Sequence, residues 1–181
     1  MNNIQIEIGG KLFTFAVKVE QDNDGQAPWE KSEGHGVVSE WGTRDKRAGE
    51  LVLNTDRGSK RFYDFAETMK IARRDGWDAA PYGETGETKG QKAERATLAD
   101  FEYLRSWCAN EWAYVGVIVT LLDDNGKETE VSDSLWSVED RNGFAETTAR
   151  EIADELAHGY GTVWTDTTRS TYAYFPTDKA A

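Results

Sequence analysis

The sequence has few of the residues by which catalytic and metal sites are recognised. It contains one cysteine, Cys108, and two histidines, His35 and His158. A single cysteine excludes a disulfide within the chain and is typical of a reducing compartment. No paired-histidine, Cys-x-x-Cys, phosphate-loop or Gly-x-Ser-x-Gly pattern occurs, so the sequence predicts no metal, no cofactor and no enzymatic activity.

Long apolar runs are also missing. No stretch is long enough to cross a bilayer and the N-terminus does not resemble a signal peptide, so we expect a cytoplasmic protein that does not bind membranes. Phe, Trp and Tyr occur seven times each, and aromatic side chains bury large areas. A chain of 181 residues with this composition is predicted to form one packed domain, 1–181.

Positive charge is scarce. Lys and Arg number 21 against 33 Asp and Glu, which gives a net charge of −12. Residues 106–181 hold 5 basic and 14 acidic side chains, a net −9, whereas residues 41–105 are at +1. The C-terminal part should therefore repel nucleic acid and attract basic surfaces. The simpler interpretation is that the charge only keeps the protein soluble.

Two hairpins are predicted from alternation and turn residues. Residues 3–20 alternate apolar and polar side chains around Gly9-Gly10, which is typical of an N-terminal hairpin. Val115–Leu122 is the most hydrophobic segment and should be a central strand. Asn125-Gly126 after it predicts a type I′ turn, and the polar return strand to residue 138 should lie at an edge.

The remaining pattern predicts short strands and about three helices. Short strands are expected at 36–41 and 50–54, and strand composition recurs at 162–165 and 171–175. The expected helices are Asp64–Asp75, about Gln91–Glu111, and one from Asn142 or Gly143 to His158-Gly159. Residues 76–90 are predicted to be a mobile loop and 178–181 a frayed tail. The order indicates an α+β domain whose mainly antiparallel sheet combines the N-terminal hairpin with the 114–138 hairpin.

Carboxylates dominate the candidate binding residues. The predicted partner-binding face comprises Asp123, Asp124, Glu128, Glu130, Asp133, Glu139, Asp140, Glu146, Glu151, Asp154 and Glu155. A carboxylate-based enzyme site among such residues is a third possibility, because a catalytic pair is recognisable only in three dimensions. Asp22-Asn23-Asp24-Gly25 is similar to part of a calcium loop but lacks the later carboxylate, which favours an ordinary turn.

A basic cluster offers the alternative of nucleic-acid binding. Between residues 44 and 74 nine basic side chains oppose five acidic ones, and aromatic residues are interleaved. Such a mixture suits phosphate contacts with base stacking. A salt-bridged surface is the competing interpretation. The candidate residues for this alternative are Arg57, Lys60, Arg61, Arg73 and Arg74.

Two segments carry a resemblance to a known family. The first includes Arg57-Gly58-Ser59-Lys60-Arg61-Phe62-Tyr63-Asp64-Phe65-Ala66, and the second includes Trp107-Cys108-Ala109-Asn110-Glu111-Trp112-Ala113-Tyr114-Val115-Gly116-Val117. They resemble a family of small phage and prophage proteins with no assigned activity. The resemblance assigns no residue role, but it implies an accessory protein in a bacterial cytoplasm. The resulting hypothesis is an inhibitor that binds a host or phage protein, such as a restriction or CRISPR nuclease complex, by imitating nucleic-acid charge.

Overall fold

The computed structural model describes residues 2–24, 26–31, 34–56, 59–78 and 86–166. The chain has an α+β fold with two antiparallel sheets, and the predicted fold class is confirmed. In chain order the elements are β1 (Asn2–Ile8), β2 (Lys11–Gln21), α1 (Pro28–Lys31), β3 (Val38–Trp41), β4 (Glu50–Asp56), β5 (Ser59–Asp64), α2 (Phe65–Asp75), α3 (Lys89–Cys108), β6 (Tyr114–Leu122), β7 (Glu128–Glu139) and α4 (Phe144–Asp166).

The chain divides into two compact units, each built on one sheet. The sheet A unit comprises Met1–Asn23 and Ala113–Ala181, and the sheet B unit comprises Asp24–Trp112. Among the described residues, no helix is both long enough and apolar enough to span a membrane.

Sheet A joins the two predicted hairpins in the strand order β1-β2-β6-β7. The hydrophobic strand β6 is interior, as predicted, and β7 lies at an edge. Val117 and Val119 of β6 are fully buried, in a core that α4 completes with Ala149 and Ala153. Because side chains alternate across a strand, the intervening β6 residues form the opposite face of the sheet.

The β6–β7 turn differs from the predicted type I′ geometry. Of its residues, Gly126 has a positive φ of 77° and Asn125 does not. The Gly126 N–H donates to the Asp123 carbonyl at 2.9 Å, and the Asp123 N–H donates to the Lys127 carbonyl at 2.8 Å. The Asp123 carboxylate also accepts the N–H groups of Asn125 and Lys127. These side-chain hydrogen bonds favour an aspartate-led turn with only one left-handed residue.

Helix α4 is longer than predicted. It starts directly after Gly143, as expected, but continues past His158-Gly159 to Asp166. The strand prediction for 162–165 is therefore wrong. A glycine within a helix costs only about 1 kcal/mol relative to alanine, so Gly159 is tolerated there. The strand prediction for 171–175 and the predicted frayed tail at 178–181 lie outside the described residues.

Sheet B has the order β3-β5-β4, and its central strand was not predicted. Strands β3 and β4 confirm the short strands expected at 36–41 and 50–54. The core of this unit contains Leu53, Tyr63, Phe101, Leu104 and Cys108. Helix α1 is a single turn between β2 and β3.

Side-chain caps define the helices of the sheet B unit. The Asp64 carboxylate accepts the Glu67 N–H at 2.9 Å, and Gly76 ends α2 in the left-handed region, as predicted. Helix α3 starts earlier than the predicted Gln91, because Thr88 and Gln91 form a reciprocal capping box. Of the predicted mobile loop at 76–90, residues 79–85 are outside the described residues, and residues 89 and 90 belong to α3.

Candidate functional site

The carboxylates predicted to bind a partner all belong to the sheet A unit. They follow one another along the β6–β7 turn, the edge strand β7, the β7–α4 connection and the outer side of α4. All are exposed except Glu139, which is half-buried. We name this set the acidic surface: Asp123, Asp124, Glu128, Glu130, Asp133, Glu139, Asp140, Glu146, Glu151, Asp154 and Glu155.

Negative charge is concentrated in the sheet A unit. Within the bounds of that unit the sequence holds 7 basic and 16 acidic residues, a net charge of −9, whereas the sheet B unit has a net charge of −3. The excess therefore belongs to one compact body. A concentrated field of one sign accelerates association with oppositely charged surfaces, and salt screens it.

Few members of the acidic surface are neutralised locally. Glu139 pairs with Arg141 at 3.3 Å, and Asp154 lies 3.4 Å from His158. The other carboxylates of the surface form no ion pair with any described residue, and Asp123 accepts hydrogen bonds only from its own turn. Carboxylates without an ion-pair partner keep most of their field for a binding partner.

Helical spacing brings three of these carboxylates together on α4. Glu151, Asp154 and Glu155 are separated by three and four residues, so they are neighbours on the helix surface. All three are exposed, while Ile152 and Ala153 between them are buried. Like charges at this spacing destabilise a helix by about 0.2–0.5 kcal/mol per pair. The arrangement thus lowers the stability of the fold slightly.

The edge strand β7 also exposes two large apolar side chains. Leu135 is 53% exposed and Trp136 is 46% exposed. The Trp136 ring lies over Gly116 of β6, where an added β-carbon would approach three ring atoms to 2.5–2.7 Å. On the same strand the Ser134 N–H donates to the Asp133 carboxylate at 2.7 Å. Apolar groups surrounded by charged ones are typical of the centre and rim of an interface.

A cleft of about 480 Å³ lies beside the β6–β7 turn and includes Lys11, Asp123 and Asp124 in its lining. It is the place where a carboxylate-based enzyme site would be sought. However, hydrogen bonds from the backbone of Lys127 and Asn125 lower the pKa of Asp123. A general acid at neutral pH needs a raised pKa, so Asp123 does not have the property that this role requires.

The basic cluster of the sheet B unit is largely paired with nearby carboxylates. Lys60 contacts Asp45 at 3.1 Å, Arg61 contacts Glu40 at 3.3 Å and Arg74 contacts Asp75 at 2.6 Å. These contacts favour the salt-bridged interpretation for the alternative residues. Arg73 forms no ion pair with a described residue, and Arg57 lies outside the described residues.

A polar cluster centred on Asp100 was not predicted from the sequence. Asp100 accepts hydrogen bonds from the Gly36 N–H and the Tyr63 hydroxyl, each at 2.8 Å, and lies 2.7 Å from His35 Nδ1. The His35 ring stacks on Tyr103. Burial and the neighbouring Asp100 raise the pKa of Tyr63. The cluster fixes the chain before β3 against α3.

The single cysteine and the possible metal ligands remain to be placed. Cys108 is buried, and burial raises its thiol pKa, as expected for a core residue rather than a nucleophile. In the part of the chain that the structure describes, no group of three or more His, Cys, Asp or Glu side chains is arranged to hold a metal ion.

Comparison of the chain with protein-family models, with curated proteins and with solved structures finds no match. The resemblance to a phage family therefore stays a prediction.

Proposed function

We propose that the protein is a non-enzymatic binding protein whose acidic surface occupies the nucleic-acid-binding surface of a partner protein. The partner then loses access to its nucleic acid. The class of partner that we infer is a host-defence nuclease complex, of the restriction or CRISPR type. That inference depends on the resemblance to phage proteins, and the general proposal depends on the acidic surface alone.

One observation carries the proposal: most carboxylates of the acidic surface are exposed and form no ion pair with a described residue. In a protein selected only for solubility, charges of both signs are usually interspersed. Here the sheet A unit has a net charge of −9, and α4 places like charges together despite their cost to helix stability.

Nucleic-acid-binding grooves are the natural complement of such a surface. Their Lys and Arg side chains meet a phosphate backbone whose condensed counterions are released on binding, which makes affinity strongly salt-dependent. A folded acidic protein competes for the same cations through complementary potentials. Leu135 and Trp136, exposed on β7, add apolar contacts of the kind that stabilise a complex once it has formed.

The alternative function is direct nucleic-acid binding by the basic cluster. Its candidates Lys60, Arg61 and Arg74 each have a carboxylate partner, which weakens their attraction for phosphate. For the enzyme alternative, the lowered pKa of Asp123 in the turn-side cleft does not suit a general acid.

The proposal is tested by competition for DNA. Purified restriction or CRISPR effector complexes are bound to labelled target DNA, and the displacement of DNA by the full chain is measured at several salt concentrations. We expect displacement that weakens steeply with salt. The double variant Glu151→Lys with Glu155→Lys should displace DNA at least about tenfold less well, because two repulsive contacts replace two attractive ones.

A matched control reverses the same number of negative charges in the sheet B unit. Glu94 and Glu111 are exposed in the sheet B unit and form no ion pair with a described residue. Reversing both to Lys should leave displacement nearly unchanged. Equal effects of the two double variants would show that only net charge matters, and displacement insensitive to both variants and to salt would contradict the proposal.

A further inference from the structure

The sheet B unit presents an ordered aromatic surface that the acidic surface does not include. The Arg44 guanidinium lies over the ring of Phe62 and over the ring of Trp41, with its carbon 4.6 Å from each centroid. Phe62 is buried and Trp41 is 42% exposed. Trp41 is thus the outer layer of a three-layer stack whose inner layers are fixed in the protein.

Both terminal nitrogens of Arg44 are engaged in hydrogen bonds that hold this stack. Its two terminal nitrogens donate to the two carboxylate oxygens of Glu50, each at 2.7 Å, and also to the Ser39 hydroxyl and the Asp45 carbonyl. Arg44 therefore positions Trp41 and has no terminal nitrogen left for a ligand. Arg44 and, at a greater distance, Arg47 lie over the Trp41 ring, and 42% of the Trp41 surface stays exposed.

Three cations lie in the loop after Trp41 or on the neighbouring strand: Lys46, Arg47 and Lys60. The Arg47 guanidinium lies 5.9 Å from the Trp41 centroid, and Lys46 precedes it in the same loop. Both are exposed, and neither forms an ion pair with a described residue. Lys60, the register partner of Trp41 on β5, contacts only the 95% exposed Asp45. Exposed pairs of that kind are worth about 0–1 kcal/mol, so the contact with Asp45 weakens the attraction of Lys60 for phosphate without abolishing it.

We infer that this surface binds single-stranded nucleic acid, with one unpaired base stacked on Trp41 and the adjacent phosphates contacting Lys46, Arg47 and Lys60. Stacking on an aromatic ring beside cations is the recurrent chemistry of sequence-tolerant single-strand binding. Duplex DNA offers no free base face, so it should bind more weakly. This site differs from the acidic surface in its ligand, in the sign of its charge and in its residues. A test of the site is therefore independent of a test of the proposed function.

The competing explanation is that Trp41 only shields the Arg44–Glu50 pair from water. Both explanations predict that Trp41→Ala lowers stability, but only the inferred site predicts a change in oligonucleotide binding. The variant Lys46→Glu with Arg47→Glu changes two exposed side chains and keeps the backbone N–H of Arg47 that donates to the buried Glu50 carboxylate. Its melting temperature separates a loss of binding from a loss of the fold.

The experiment is fluorescence anisotropy of a labelled oligothymidylate of about fifteen nucleotides, titrated with the full chain at low salt and then at rising salt. We expect Trp41→Ala to weaken binding about tenfold, since one stacked base is lost, and Trp41→Phe to retain most of it. The Lys46→Glu, Arg47→Glu variant should weaken binding at least as much and reduce the salt slope by about 1–2.

Matched controls come from the same chain. Trp136 is comparably exposed in the sheet A unit, and Arg73 is an exposed cation of the sheet B unit without an ion pair to a described residue. Trp136→Ala and Arg73→Glu should leave binding unchanged. The inference is overturned if the wild-type chain does not bind the oligonucleotide at low salt, if duplex binds as well as single strand, or if control and test variants lose affinity equally.

Discussion

The carboxylate of Glu50 accepts a hydrogen bond from each terminal nitrogen of Arg44, both at 2.7 Å. It also accepts the backbone N–H of Arg47 at 2.6 Å. The Arg44 hydrogen bonds are the main reason that the pKa of Glu50 falls to about 2. A pKa lower in the folded than in the unfolded chain stabilises the fold above the unfolded pKa, and this contribution disappears as the pH falls to the folded pKa.

Glu50→Gln should therefore lower the free energy of unfolding by about 3 kcal/mol at neutral pH. The difference between wild type and variant should shrink as the pH falls from the ordinary value of 4.5 towards 2. Urea unfolding at a series of pH values, monitored by tryptophan fluorescence, measures this difference in unfolding free energy. The exposed Glu94→Gln serves as control and should show no such convergence; a gap that stays constant down to acidic pH would contradict the assignment.

Gly116→Ala should destabilise the sheet A unit, because the new methyl group would collide with the Trp136 ring. Forcing an extra methyl into a packed site costs about 1–3 kcal/mol. Trp136→Ala removes the obstacle, so Gly116→Ala should cost much less in that background. A double-mutant cycle from chemical denaturation gives the coupling energy; additive effects would mean that the ring does not rest on Gly116.

Asp100→Ala should destabilise the sheet B unit by about 1–3 kcal/mol, since it leaves the Gly36 N–H and the Tyr63 hydroxyl without their acceptor. Hydrogen exchange should speed up at the Gly36 amide in particular. Glu102→Ala, two residues away on an exposed part of α3, should change stability by less than about 0.5 kcal/mol. Unchanged exchange at Gly36 would argue against the role of Asp100.

Glu155→Lys should make the protein more stable while weakening the proposed partner interaction. It replaces the repulsion between Glu151 and Glu155 by an attractive pair with the acidic residue N-terminal, which is the favourable order on a helix. The expected gain is about 0.5 kcal/mol or more, read from the melting temperature at low salt, and it should vanish at high salt. A lower melting temperature would show that Glu155 has an unrecognised structural partner.

Local patterns predicted the parts of the fold that local physics determines. The alternation around Gly9-Gly10 predicted the first hairpin, the run Val115–Leu122 predicted the interior strand, and the helix expected at Asp64–Asp75 corresponds to α2. Strand β5 escaped prediction because charged residues flank its only two apolar residues, Phe62 and Tyr63, and a helix follows it directly. Its place in the sheet is determined by pairing with β3 and β4 and not by its own period.

The contacts among the candidate site residues were harder to predict from the sequence than the helices and strands. The acidic residues could be named, because exposure follows from charge. The Asp100–His35 contact joins residues 65 positions apart, and no pattern in one sequence reports such a distance. The basic cluster illustrates the same limit: only the three-dimensional structure separates Arg44, which is held by Glu50, from Lys46 and Arg47, which form no ion pair with a described residue.

The hydrogen bond from Ser134 to the Asp133 carboxylate has a consequence for how copies of this chain meet. A free sheet edge invites another strand to pair with it, and natural proteins block that route with charge or by occupying the amides. Asp133 does both, and Glu128 and Glu130 on the same edge add repulsion between identical molecules. The border of sheet A thus discourages fibril-like growth and leaves access to strands of opposite charge.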